Sequence, residues 1–165
     1  MTELVRDERV VGATPDEIRT IVRDPAAIRR LLPEAESLQA VGPGQFRAVL
    51  ATRVKLFTVR ADAEAQIVDV DPPRLLRLEI VGRPRGFGGS FAVTVPFELE
   101  AIGDPAGQAP GVAPAAPRTR VRYSVDLAVT GAAASFAGPG LANAVPGLVA
   151  DLVRSIEAEA QRRRT

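Results

Sequence analysis

Between Phe57 and Ile67 every second residue is apolar, with Thr58, Arg60, Asp62, Glu64 and Gln66 in between. This period of two predicts a β-strand with one wet and one dry face, running on to Val70 and closed by "DPP". The same alternation returns at Arg118–Val129, with Val121, Tyr123, Val125, Leu127 and Val129 on the dry side. Shorter alternating runs at Leu75–Val81 and Ser90–Ala101 are separated by "GRPRGFGG". Upstream, Ser37–Val41 and Gln45–Val54 flank "GPG", a hairpin signal, and "ELVRDERVVG" alternates weakly from Leu4.

Other stretches follow the helical period. In "ATPDEIRTIV", Thr14 stands as N-cap, Pro15 at the first helical position and Glu17 three residues after the cap, with Ile18, Ile21 and Val22 as the dry side. Pro25 opens a second short helix that Leu31–Leu32–Pro33 ends. Near the C-terminus, Leu141, Val145, Leu148, Val149, Leu152, Val153 and Ile156 recur at three- and four-residue steps, a broad apolar helical stripe. Pro146 inside it predicts a kink or the true helix start. "GDPAGQAPGVAPAAP" has no periodicity and reads as a mobile hairpin loop over 103–117.

The order is strand, two short helices, six strands, one long helix. It predicts a single α+β domain over 1–165 with a helix-grip architecture. A curved antiparallel sheet of about seven strands wraps around the C-terminal helix, because an open sheet of that width curls.

Within that frame, the dry face of the Phe57 strand is thin: Val59 is followed by Ala61, Ala63 and Ala65. Two explanations stand. The alanines leave space for an apolar guest under the helix, since an unfilled cavity costs on the order of 24 cal/mol per Å³. Alternatively they let the helix backbone approach the sheet closely near Ala132–Ala134 or Ala142–Ala144. Facing them, Leu78, Phe91, Val93, Val95, Phe97, Tyr123 and Val125, with Leu141, Val145, Leu148, Val149 and Leu152 of the helix, would complete an apolar wall. The Tyr123 hydroxyl would be its orienting group, as ligand cavities usually show, although a cross-strand aromatic at a sheet edge is the commoner role.

Composition narrows the chemistry. At 165 residues the chain can bury a sizeable core, and 21 basic against 20 acidic residues leave no footprint for nucleic acid. There is no Cys and no His, which removes thiolate nucleophiles, disulfides, zinc sites of the usual kind and a histidine base. Asp24, Glu36 and Asp71 read as turn and cap residues, with no nucleophile paired to them; no catalytic or metal-binding residue is assigned. Neither "GPG" at 42–44 nor "GFGG" at 86–89 has the spacing and Lys of a phosphate loop. The N-terminus is charged ("TELVRDER"), and no apolar run approaches the roughly 20 residues of a membrane span, so a soluble, cytoplasmic protein is expected.

"DPAAIRRLLPEAESLQAVGPGQFRA" resembles the CoxG family of carbon monoxide dehydrogenase, within the START-like (SRPBCC) superfamily, through Asp24, Pro25, Pro33, Glu36, Ser37 and Gly44. "VDVDPPRLLRLEIVGRPRGFGGSFAVTV" is similar to the family's D-P-P turn, glycine-rich hairpin and next strand, through Asp71, Pro72, Pro73, Gly82 and Gly86–Gly89; "TRVRYSVDLAVTG" resembles its last strand. The resemblance implies a helix-grip fold with a hydrophobic cavity. It also implies an accessory role for a molybdenum-containing hydroxylase of the CO dehydrogenase type, by carrying a lipophilic quinone such as menaquinone or another lipid, or by recruiting the enzyme to the inner membrane face. The chain departs from the family pattern at Glu34 and Ala35, in a longer loop after Gly103, and at Pro96, whose mid-strand place predicts a bulge or an edge.

Arg83, Arg85 and Phe87 in the glycine-rich hairpin, and Phe136 in "GAAASFAGPG", are candidates for the mouth or gate of such a cavity, the arginines facing phosphate head groups or an acidic partner; for Arg83 and Arg85 solvated turn charges are the commoner alternative. Two further functions stay open: a polyketide cyclase or aromatase, which needs polar groups such as Tyr123 or Thr52 inside the cavity, and a docking protein without ligand.

Overall fold

The computed structural model describes residues 2–31, 35–54, 56–72, 74–86, 88–102, 117–132, 134 and 138–164. Strand β1 (Thr2–Val11) is followed by helices α1 (Pro15–Arg23) and α2 (Pro25–Leu31). Then come β2 (Ala35–Gly42), β3 (Gln45–Val54), β4 (Phe57–Asp71), β5 (Leu75–Pro84), β6 (Ser90–Ile102) and β7 (Arg118–Thr130), and α3 (Gly138–Arg164) ends the chain. The strands form one curved antiparallel sheet in the order β1-β7-β6-β5-β4-β3-β2. The helix-grip architecture expected from the alternation is therefore present.

Local signals act as the sequence predicts at α1. Thr14 Oγ1 accepts from the Glu17 N–H at 3.1 Å while Glu17 Oε1 accepts from the Thr14 N–H at 3.2 Å, a closed capping box. In the β2–β3 hairpin, Gly44 takes a positive φ of 66°, and its carbonyl accepts from Ile67 N at 2.7 Å, fastening the turn to β4.

Three expectations on the elements are corrected. Strand β5 runs past Val81 through Gly82 and Arg83 to Pro84, because Ala63 and Ala61 of β4 continue to pair with it. Pro96 marks neither an edge nor a register shift: β6 lies between β5 and β7, and its pairing with β7 keeps one register on both sides of Val95–Pro96. A missing N–H costs one rung without displacing the ladder. Pro146 is not the helix start, since α3 begins eight residues earlier at Gly138 and continues through it. The loop expected over 103–117 lies outside the described residues except for Pro117.

The core joins the concave face of the sheet to the helices. Val145, Val149, Leu152, Val153, Ile156 and Ala160 of α3 are buried in one cluster with Val93, Val95, Val121 and Val125, and with Ile18, Ile21 and Ile28 of α1 and α2. Each such side chain contributes roughly 1.5–3 kcal/mol by leaving water. Ion pairs hold the helices in place. Arg19 and Arg23 reach Asp69 at 2.6 and 3.1 Å, tying α1 to β4. Arg30 meets Glu159 at 2.5 Å and Arg163 meets Asp24 at 2.6 Å, tying α1 and α2 to the end of α3.

Candidate functional site

Strand register sets the floor of the concave face. Ala48 of β3 lies opposite Ala63, Ala63 opposite Gly82, and Gly82 opposite Phe91, so one row across β3–β6 holds three small residues and an aromatic. Neighbouring rows place Ala61 beside Pro84, and Ala65 between Phe46 and Ile80. A Cβ on Gly82 would lie 2.1, 2.5 and 2.7 Å from Cζ, Cε1 and Cε2 of Phe91. The similar distances set that point over the ring face, so the phenyl lies flat on Gly82. Part of the space left by small side chains is thus taken by an aromatic from the next strand. Close approach of the long helix is not the reason for the alanines: α3 packs against β1, β7, α1 and α2, and Ala132, Ala134 and Ala144 are exposed.

Burial is uneven across this face. Val59, Ala61, Ala63, Phe91, Val93, Val95, Phe97, Tyr123 and Val125 are all buried, as are Val145, Val149 and Leu152 opposite them. Yet Leu78 and Ile80 on β5, the fourth of seven strands, are only half-buried, together with Ala65 and Ile67 of β4. The centre of the concave face is therefore less covered than its flanks. Ile67 and Ile80 were not among the expected lining residues. Both continue an alternation visible in the sequence, but only the β4–β5 register sets them beside Ala65 and Leu78.

Other expected site residues fall elsewhere. Leu148 is 36% exposed and stands at the margin of the buried stripe of α3, one residue before the buried Val149. Arg83 projects from the convex face, because the alternation that turns Gly82 inward turns its neighbours outward. Arg85 also belongs to that side: its guanidinium makes a two-pronged contact with Asp62 at 2.8 and 3.1 Å, and its N–H donates to the Arg60 carbonyl. Neither arginine overhangs the concave face. Phe87, Phe136 and the side chains of Thr52 and Leu141 lie outside the described residues, although Leu141 is helical in its backbone.

Charge and polarity also concentrate away from the centre. Tyr123 is 5% exposed, with its ring tilted 43° against Phe97 at a centroid distance of 5.9 Å. Burial pushes its phenol above the ordinary value; Asp7 adds to that, and Arg9 and Arg154 oppose it. Glu159 was missed in the sequence. It is buried in α3 and accepts from Arg30 and Arg163, with Arg162 at 3.4 Å, and these arginines, Arg30 foremost, hold its carboxyl below the ordinary range. The hint lay in "EAEAQRRR", where a glutamate interrupts the last turns of the apolar stripe. A depression of about 530 Å³ opens on the convex face between Arg6, Glu8, Leu75, Pro96, Glu98, Arg122 and Ser124. Its charged rim sets it apart from the apolar chamber expected under α3. Among the described residues no cluster of acidic side chains is placed to hold a metal ion, and no helix is long and apolar enough to cross a membrane.

The model of the CoxG family of carbon monoxide dehydrogenase matches residues 8–161. Among solved structures, a conserved protein from Geobacillus kaustophilus superposes with a TM-score of 0.73 at 20% identity, covering 95% of this chain and 94% of its own. A START superfamily protein from Mycobacterium smegmatis does so with 0.65 at 14%, covering 98% and 99%. The Zhui aromatase/cyclase from Streptomyces sp. R1128 gives 0.61 at 17%, covering 98% and 94%. At these identities the likeness is one of fold. A comparison with curated proteins finds no match.

Proposed function

As this chain belongs to the CoxG family of carbon monoxide dehydrogenase, we propose that it binds a lipophilic quinone or related isoprenoid lipid between α3 and the concave face of the sheet. It acts without catalysis of its own, as an accessory protein of a molybdenum hydroxylase of the CO dehydrogenase type, carrying the ligand or bringing the enzyme to the membrane surface. The observation that carries this reading is the half-buried state of Ala65, Ile67, Leu78 and Ile80 at the middle of a seven-stranded sheet. Apolar groups left uncovered at a domain's centre favour an apolar occupant, which gains roughly 25 cal/mol for each Å² removed from water. Native mass spectrometry with lipid extraction tests this: a co-purifying lipid and a thermal shift with menaquinone are expected. Absence of both overturns it.

A second reading, a cyclase-like enzyme, draws on Asp7 and Arg9, whose register sets them on the concave side beside Tyr123 and Val121. Polar groups at that place are what enolisation of a polyketide would use. Both residues sit exposed on an edge strand, and the Asp7 carboxylate already accepts from the Glu8 N–H at 2.7 Å. The carrier reading therefore ranks first, and turnover of an aromatic polyketide by the purified protein would reverse that order.

A further inference from the structure

Tyr123 is the polar side chain set deepest in the proposed ligand site, and its hydroxyl has no hydrogen-bond partner among the described residues. The oxygen is not walled off, because the described residues contain no enclosed side-chain oxygen or nitrogen lacking a partner. A bare phenol hydroxyl beside an apolar wall, open to a small space, is a donor waiting for an acceptor. Next to it on β1, the register brings Asp7 opposite Tyr123 and Arg9 opposite Val121, so Arg9 is its diagonal neighbour on the same face. Arg9 makes no ion pair or hydrogen bond among the described residues. The other charges facing this corner are already engaged: Asp7 accepts from the Glu8 N–H, and Arg154 of α3 pairs with Asp151.

We propose that the Tyr123 hydroxyl and the Arg9 guanidinium form the polar anchor of the apolar site and take the neutral carbonyl oxygen of an amphiphilic ligand whose ring lies along Phe97. The inference rests on the hydrophobic-ligand reading above and adds what selects the ligand's head. Both groups offer donors, and guanidinium has no acceptor at all, so the anchor selects an oxygen without a proton. The four charges at the corner (Arg9, Arg154, Asp7 and Asp151) sum to zero, which leaves no net field to favour a carboxylate over a ketone or quinone carbonyl. Hydrocarbon chains without an oxygen would enter the same site but gain nothing from the anchor.

The test compares decylubiquinone, decylbenzene and decanoate, each titrated against the full chain and against Tyr123→Phe and Arg9→Gln by native mass spectrometry. The first variant keeps the buried ring; the second changes an exposed side chain and leaves the core intact. Each is expected to weaken decylubiquinone roughly fivefold, the effect of one neutral hydrogen bond, and to leave decylbenzene unchanged. Decanoate should bind no tighter than decylbenzene. Equal losses for decylubiquinone and decylbenzene, no loss in either variant, or a marked preference for decanoate would overturn the anchor. If the unaltered protein binds none of the three, the apolar site itself is wrong and the anchor falls with it.

Discussion

The ring of Phe91 rests face-down on Gly82, its neighbour across β5 and β6. Aromatic side chains cover cross-strand glycines in this way because the glycine lacks the Cβ that would hold them off, and the ring in turn shields an otherwise bare backbone. Here the arrangement keeps a large residue low on the sheet, so that the row from Ala48 to Phe91 stays shallow beneath α3.

Gly82→Ala tests that relationship. The backbone can accept alanine, yet its Cβ would meet Phe91 Cζ at 2.1 Å and force the ring up. A loss of about 1–3 kcal/mol in chemical denaturation is expected, the usual cost of overpacking. Combining it with Phe91→Leu should cost clearly less than the two single changes added together, since the clash is then gone. Simple additivity would mean that the ring does not lie on the glycine.

Ala65→Leu probes the space at the sheet centre, where Ala65 is half-buried between Phe46 and Ile80. If a guest occupies that space, the added carbons fit: stability stays within about 0.5 kcal/mol, as for substitutions that strain nothing, and the menaquinone thermal shift disappears. Tight packing there would instead show as a loss of about 1–3 kcal/mol.

Acid sensitivity follows from the helix clamps. Glu159, Asp69 and Asp24 are held below their ordinary values of 4.5, 3.8 and 3.8 chiefly by hydrogen bonds from Arg30, Arg19 and Arg163, with burial opposing in each case. A carboxyl lowered on folding adds stability that is present above its unfolded value and is lost as pH falls through the lower folded one. Denaturation midpoints should therefore be flat near neutrality and drop steeply below about pH 4. Glu159→Gln should cost about 2 kcal/mol near pH 7 through its charged hydrogen bonds, less than for a sealed ion pair because its arginine partners can return to water. It should also flatten the acid slope. A slope identical in the variant would remove Glu159 from this account.

Thr119 offers a cleaner measurement. It is fully buried, and its hydroxyl donates to the Ala13 carbonyl at 2.5 Å, fastening the β1–α1 corner to β7. Thr119→Val keeps the shape but strands that carbonyl, with an expected loss of about 1–3 kcal/mol, whereas Thr119→Ser should recover most of it apart from the missing methyl. Equal stability of the valine and threonine proteins would mean that the carbonyl finds another donor.

Several features were legible in the chain itself. Alternation in Phe57–Ile67 and Arg118–Val129 marked which side of each strand is dry, and Thr14, Pro15 and Glu17 marked where α1 begins. These are contests between near neighbours, in which periodicity and capping hydrogen bonds decide the outcome over a few residues. Other features required distant segments to meet. Nothing in "GRPRGFGG" indicates that Gly82 would receive Phe91, that β5 would run on to Pro84, or that Arg83 and Arg85 would turn to the convex face, because those results depend on the register between β4, β5 and β6. Nothing near Glu159 announces Arg30, and nothing near Tyr123 announces Asp7 and Arg9 beside it, since β1 joins β7 across more than a hundred residues of chain. The residues alone settled which faces are dry. What lies against each face was settled only when remote strands found their pairing, because a side chain's direction follows from its own backbone and its neighbour across the sheet does not.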